Sequence, residues 1–317
     1  MADDKMKVRF TFAAIGAGTT PVWTAFEAGI FEKNGLDCDL AMIRGSIETS
    51  QALLDGKVDF GNFASPAPLT LSLKGKRDLI YLTGGVNYMA QTMVARPGIA
   101  SMSELKGKKL GKSSNAELDD LILSFIVPQA GLRVDDMEHV MIENQPDALA
   151  KMERGEIDAC LFTAPWLFEA TKRGMTVIRD PFDKANLIDY QLGGIVTTRE
   201  MVSDNPELVR RMVKTYVEGM HKFKRDREFV MNVVFKKWSK IDNPEIARQA
   251  YDQFNPIFLK KPYPSLKGLQ TVLTHLSADI PEAAKVSPER FADPSWLKEL
   301  DDSGFIDELY AREPVPD

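Results

Sequence analysis

Gly56-Lys57-Val58-Asp59-Phe60-Gly61-Asn62-Phe63-Ala64-Ser65-Pro66 reads as a helix end, a short apolar strand and a small polar loop. The same order returns at Gly155-Glu156-Ile157-Asp158-Ala159-Cys160-Leu161-Phe162-Thr163-Ala164-Pro165. Gly56/Gly155, Asp59/Asp158, Phe63/Phe162 and Pro66/Pro165 are identical at one offset of 99 residues. Upstream, Gly35-Leu36 corresponds to Gly131-Leu132 at an offset of 96. Such a repeat predicts two similar α/β units, with a site where they face each other.

Outward from these copies, strands and helices alternate. Apolar alternation and helical spacing predict strands at 8–15, 36–43, 79–84 and 87–95, with helices at 22–31 and 48–54. The pattern restarts after Ser101, with a strand ending near Gly111, a helix at 118–130, a strand at 139–142 and helices at 147–154 and 166–173. A strand at 176–179 closes the second unit, and 191–197 is extended and crosses back to the first. Long amphipathic helices follow at 206–225, 228–238, 244–254, 266–279 and 294–300. Short loops between alternating elements imply parallel-type sheets with helices on their faces.

Composition narrows the function. The 317 residues suit about two domains, with 44% hydrophobic and 27% charged residues. A net charge of −6 without a basic stripe argues against nucleic acid, and Arg210, Arg211 and Lys214 read as a solvated helix face. Three separated histidines and no Cys/His cluster argue against a metal site. No apolar run reaches the roughly 18 residues of a membrane span. The polar start fits either a cytoplasmic protein or an exported chain shown after removal of its signal, with Met1 added. Cys38 and Cys160 read as small buried hydrophobes rather than a disulfide, and their pairing stays open.

Trp23-Thr24-Ala25-Phe26-Glu27-Ala28-Gly29-Ile30-Phe31-Glu32-Lys33-Asn34-Gly35-Leu36 resembles the first helix of substrate-binding proteins of ABC importers in the nitrate/sulfonate/taurine class. Gly56 to Gly61, Leu105-Lys106-Gly107-Lys108-Lys109-Leu110-Gly111, Asn205-Pro206-Glu207-Leu208-Val209 and Ser303-Gly304-Phe305-Ile306-Asp307 resemble that class too, so the likeness spans nearly the whole chain. It implies an α/β, bilobal type II periplasmic-binding-protein fold. Two lobes joined by two crossovers would hold the ligand, with a helical C-terminal region. The implied division is 1–95 for the first lobe, 96–194 for the second, and 195–317 for the return to the first.

The resemblance places ligand contacts on loops at strand ends and on neighbouring helix N-termini. Those positions are Gly18, Thr19 and Thr20; Ser46; Ser65 and Pro66; Asn87 and Tyr88; Ser113, Ser114 and Asn115; and Thr163, Ala164 and Trp166. Hydroxyls and helix-start N–H groups there suit carboxylate, sulfonate or phosphonate oxygens without a full positive charge. Trp23, Tyr88 and Trp166 are candidates to wall an apolar or aromatic body, Trp23 and Trp166 having core readings as well. Arg44 reads more readily as a surface side chain than as a partner for an acid. Ser113 and Ser114 also read as helix caps.

The expectation is a monomeric binding component that passes a small organic acid to a membrane permease from the periplasm, with no cofactor and no nucleic acid. The alternative is a cytoplasmic enzyme on the same scaffold, because relatives include a sulfinate desulfinase, an aromatic-acid decarboxylase and thiamine-pyrimidine synthases. The desulfinase type needs a cysteine after the first strand, where this chain has Gly18-Thr19-Thr20. The pyrimidine-synthase type needs a cysteine-rich run and a site histidine, and neither occurs. Cys160 precedes the Thr163 loop but reads as core, and Asp59 and Asp158 read as structural.

Overall fold

The computed structural model describes residues 5–75, 77–113 and 116–315. The chain divides into a larger unit, Met1–Asn87 with Asp189–Asp317, and a smaller unit, Tyr88–Ile188. These crossings lie some residues before the expected boundaries at 95 and 194. The reason is pairing: residues 92–95 form a strand inside the smaller unit's sheet rather than closing the first lobe.

The larger unit contains β1 (Met6–Phe12), β2 (Leu36–Met42), β3 (Phe60–Asn62), β4 (Leu79–Tyr81) and β10 (Val196–Thr198), ordered β2-β1-β3-β10-β4. The smaller contains β5 (Thr92–Ala95), β6 (Lys109–Ser113), β7 (Glu138–Ile142), β8 (Ala159–Phe162) and β9 (Thr176–Arg179), ordered β7-β6-β8-β5-β9. Both orders follow one plan. A parallel trio, β2-β1-β3 or β7-β6-β8, is followed by one antiparallel strand and then an edge strand. The expected parallel-type sheets are therefore mixed. The reversed strands, β10 and β5, are each the first strand formed after the chain crosses between units. That direction is set by the path of the chain, which local periodicity does not encode.

The quoted repeat shows how each unit is built. Gly56 (φ 69°) and Gly155 (φ 74°) end their helices in the left-handed region that glycine enters at little cost. The following N–H groups then reach back identically, Lys57 to the Ala52 carbonyl and Glu156 to the Lys151 carbonyl, each at 2.9 Å. The two aspartates clamp the neighbouring strand. Arg9 N–H donates to Asp59 Oδ2 (2.8 Å) and Asp59 N–H donates to the Arg9 carbonyl (2.9 Å). Lys109 N–H donates to Asp158 Oδ2 (2.9 Å) and Asp158 N–H to the Lys109 carbonyl (2.7 Å). Arg9 and Arg96 complete the two clamps as ion pairs. Each carboxylate holds a strand start in register.

Two helices depart from expectation. The one predicted at 22–31 is two, Thr20–Glu27 and Ile30–Lys33, broken at Gly29. That predicted at 228–238 is a helical turn, Arg227–Phe229, continuing as a π-helix over Val230–Ser239. Pro206–Arg225 forms as predicted and buries Val209, Met212, Val213, Tyr216 and Phe223 along one face. Val94, Leu149, Ile157, Cys160 and Phe162 centre the smaller unit's core. Among the described residues no helix is long and apolar enough to cross a membrane.

Candidate functional site

In parallel α/β sheets, ligands gather beyond the carboxyl ends of the strands. In the larger unit those ends are Phe12 and Asn62, and the antiparallel β10 enters there through Gly193 and Gly194. Thr19 is buried, and its hydroxyl lies 3.3 Å from the Ala14 carbonyl and 3.4 Å from Asn62 Oδ1. Gly18 packs so tightly that an added Cβ would stand 2.9 Å from the Leu192 carbonyl oxygen. An added Cβ on Gly193 would stand 3.4 Å from Asn62 Oδ1 and 3.6 Å from Gly18. Ser65 N–H donates to the Gln191 carbonyl at 3.2 Å, and the Gln191 amide donates to Thr83 and Gly193 carbonyls. Gly18, Thr19 and Ser65 thus converge with Asn62, Gln191 and Gly193.

Ser65 is the pivotal residue of this cluster. It occupies the N-cap of Pro66–Lys74, where a serine oxygen ordinarily accepts a first-turn N–H, yet it makes no capping bond. Pro66 and Pro68 supply no N–H, leaving Ala67 alone to present one in the first three positions. The helix start is therefore poorer in free donors than its sequence position suggested. Ser65 is 0% exposed and its Oγ has no partner, and neither has Asn62 Nδ2. Unpaired buried donors cost roughly 1–3 kcal/mol each, which a ligand acceptor can recover.

The other positions in this unit do less. Thr20 is buried in the first turn of Thr20–Glu27, and its carbonyl accepts from Thr24. Ser46 opens the helix Ser46–Leu54 and its carbonyl accepts from Ser50. Asn87 donates to the Tyr263 carbonyl at 3.2 Å, tying the end of the first segment to the C-terminal region. Trp23 is wholly buried and stacked on Trp238 (5.6 Å, 6°), so it is core and not a wall. Arg44 is exposed.

In the smaller unit, β6 and β8 end at Ser113 and Phe162. Thr163 is already engaged: its Oγ1 accepts from Gln145 Nε2 (3.0 Å) and its N–H donates to Gln145 Oε1 (3.2 Å). Ala164 is buried, Tyr88 is half-buried, and half-buried Trp166 packs against the core. Ser114 and Asn115 lie outside the described residues. Cys160 is buried, its thiol pushed up by desolvation, and burial raises Cys38 to about 12. Both cysteines are free. Neither thiol is set up as a thiolate nucleophile.

Sequence reading missed Asn62, Gln191 and Gly193 as members of this cluster. Asn62 lay inside the quoted stretch, three residues before Ser65. The doublet Gly193-Gly194 was the available signal for a close backbone approach.

Residues 17–227, about two thirds of the chain, match the family model described as NMT1/THI5 like. A protein of Brucella abortus that carries a provisional name as a binding protein is 26% identical over 248 residues, covering 78% of this chain and 76% of that one. The periplasmic aliphatic sulphonate binding protein SsuA from Escherichia coli superposes with a TM-score of 0.71 at 19% identity, over 90% of this chain and 91% of SsuA. The periplasmic nitrate-binding protein NrtA from Synechocystis PCC 6803 gives 0.74 at 13% identity, over 95% and 89%. The desulfurization enzyme DszB shares the fold as well, with a TM-score of 0.67 at 17% identity, over 94% and 99%. The likeness to the nitrate/sulfonate class read from the sequence is borne out at the level of family and fold. The chain belongs to the NMT1/THI5-like family and has the fold of the periplasmic sulfonate- and nitrate-binding proteins.

Proposed function

We propose that this chain is the solute-binding component of an ABC importer and that it captures a small organic acid, a sulfonate or carboxylate with an apolar or aromatic body. Loops at the strand ends supply the contacts, and the loaded protein passes its ligand to a membrane permease in the periplasm, acting as a monomer. The observation that carries this reading is the pair of buried, unpartnered donors Ser65 Oγ and Asn62 Nδ2 at the strand ends of the larger unit. Oriented neutral donors can hold an oxyanion and release it unchanged. Capture needs no nucleophile, general base or metal.

Calorimetry and thermal shift against alkanesulfonates, aromatic carboxylates, nitrate and pyrimidines test the proposal. Saturable binding without turnover is expected. Conversion of a bound compound by pure protein would replace capture with catalysis, as on the DszB scaffold. That second reading has the shared fold in its favour, while both thiols, held protonated by burial, count against a cysteine mechanism.

A further inference from the structure

Arg179 ends β9, the edge strand of the smaller unit, on the same side of the sheet as Ser113 and Thr163. Only 6% of it is exposed. Its Nη2 donates to the Asn186 carbonyl at 2.7 Å, while its Nε has no partner. No carboxylate among the described residues forms an ion pair with it. Asp180, next in the chain, opposes its charge from a distance, and its own Oδ1 accepts from Phe182 N–H.

A buried guanidinium without a counter-charge is expensive, and proteins retain one where something supplies the missing charge. Across the sheet Arg179 pairs with Met93, and strand alternation places Gln91, two residues before Met93, on the same face. Gln91 is also buried, and its side-chain oxygen lacks a partner. Among the described residues neither Arg179 Nε nor Gln91 Oε1 finds a protein partner. Desolvation already lowers the Arg179 pKa, in the direction expected of a cation awaiting an anion.

We infer that Arg179 is the anion anchor of the smaller unit, holding the carboxylate or sulfonate of a small organic acid through its free Nε–H. This deepens the proposed capture of an organic acid and rests on that reading for the identity of the anion. It also changes the electrostatics expected from the sequence, where neutral donors alone were assigned. A full charge on one unit selects an ionised ligand over a neutral molecule of the same shape. The neutral donors of the larger unit make no such distinction.

The test uses the full chain with benzoate, benzenesulfonate and butanesulfonate, each beside its uncharged amide, and with inorganic sulfate as a minimal probe. Wild type should prefer acid to amide by about tenfold or more, R179Q should lose that preference, and R179K should keep part of it. Sulfate should raise the melting midpoint of wild type and leave R179Q unmoved, while R179Q in sulfate-free buffer should melt no lower than wild type. An acid preference that survives in R179Q overturns the inference. So does a clear fall in the sulfate-free midpoint with equal sulfate effects on both proteins, which would make Arg179 a clamp on the Asn186 loop. Selective sulfate stabilisation with no binding of any acid would uphold Arg179 and overturn the organic-acid function.

Discussion

The larger and smaller units share one strand plan and one pair of aspartate clamps, but they differ at the carboxyl edge. In the larger unit Thr19, Asn62, Ser65 and Thr83 place only neutral polar groups there, and two donors stay unpaired. Thr83 is fully used, its hydroxyl accepting from Ile195 N–H and its carbonyl from Gln191. In the smaller unit Ala164 stands opposite Ser65 at the offset of 99, the neighbouring hydroxyl of Thr163 is consumed by Gln145, and the unsatisfied groups include a cation, Arg179. Duplication preserved what builds a sheet. What the edge can bind diverged, since hydrogen-bonding capacity there depends on which neighbours happen to reach it.

The scaffold side of this comparison should show the largest effects. Asp59→Ala leaves the Arg9 N–H and guanidinium without their acceptor and should cost about 2–3 kcal/mol in urea unfolding. Asp158→Ala should cost about 1–2 kcal/mol, because its arginine contact is longer (3.3 Å). Equal or reversed losses would mean that the arginines contribute nothing to either clamp.

Acid should separate the units next. His221 in the larger unit is buried, and desolvation, with Arg225 nearby, lowers its pKa to about 4. Lys222 and Arg312 act in the same direction and Glu218 opposes them. The unfolded chain takes up this proton near pH 6.5, whereas the folded chain resists until about pH 4. The contribution is therefore complete above pH 6.5 and is lost as pH falls toward 4, amounting to about 3 kcal/mol. Urea melts followed by tryptophan fluorescence at pH 7 and 5 should show this slope, and His221→Gln should flatten it. An unchanged slope in the variant would place the acid sensitivity elsewhere.

At the site, Ser65→Ala should weaken a bound acid by about 1 kcal/mol or more while leaving the unliganded protein at least as stable, since an unpaired buried hydroxyl disappears. Thr163→Ala should do the reverse on a smaller scale. It should lower stability by about 0.5–1 kcal/mol through the lost Gln145 bond, with less effect on ligand affinity. Paired calorimetry and thermal melts on both variants decide this. If Thr163→Ala costs more affinity than Ser65→Ala, the assignment of free and engaged hydroxyls is wrong.

Much of the scaffold was legible because its causes are local. Helix periodicity, proline starts and glycine stops marked Pro206–Arg225, Pro244–Phe254 and both copies of the repeat nearly to the residue. The identities at one offset carried the duplication, and the structural role of Asp59 and Asp158 followed from strand alternation. The π-helix over Val230–Ser239 was read as ordinary helix, since its residue types do not mark the wider i→i+5 hydrogen bonding. Ser65 was found through the repeat, whereas Thr163 was placed on equal footing by the same logic and is not its equal.

The amino-acid sequence by itself determined two α/β units, their element order and the glycine–aspartate stretch that each sheet is built on. These depend on periodicity, turn chemistry and identity between copies, all of which are properties of neighbours in the chain. Tertiary structure alone decided the direction of β5 and β10, the convergence of Asn62 and Gly193 on Thr19, and the isolation of Arg179. Whether a polar group is free depends on residues that approach from far along the chain. An unmet hydrogen bond is visible only once every nearby partner has been placed.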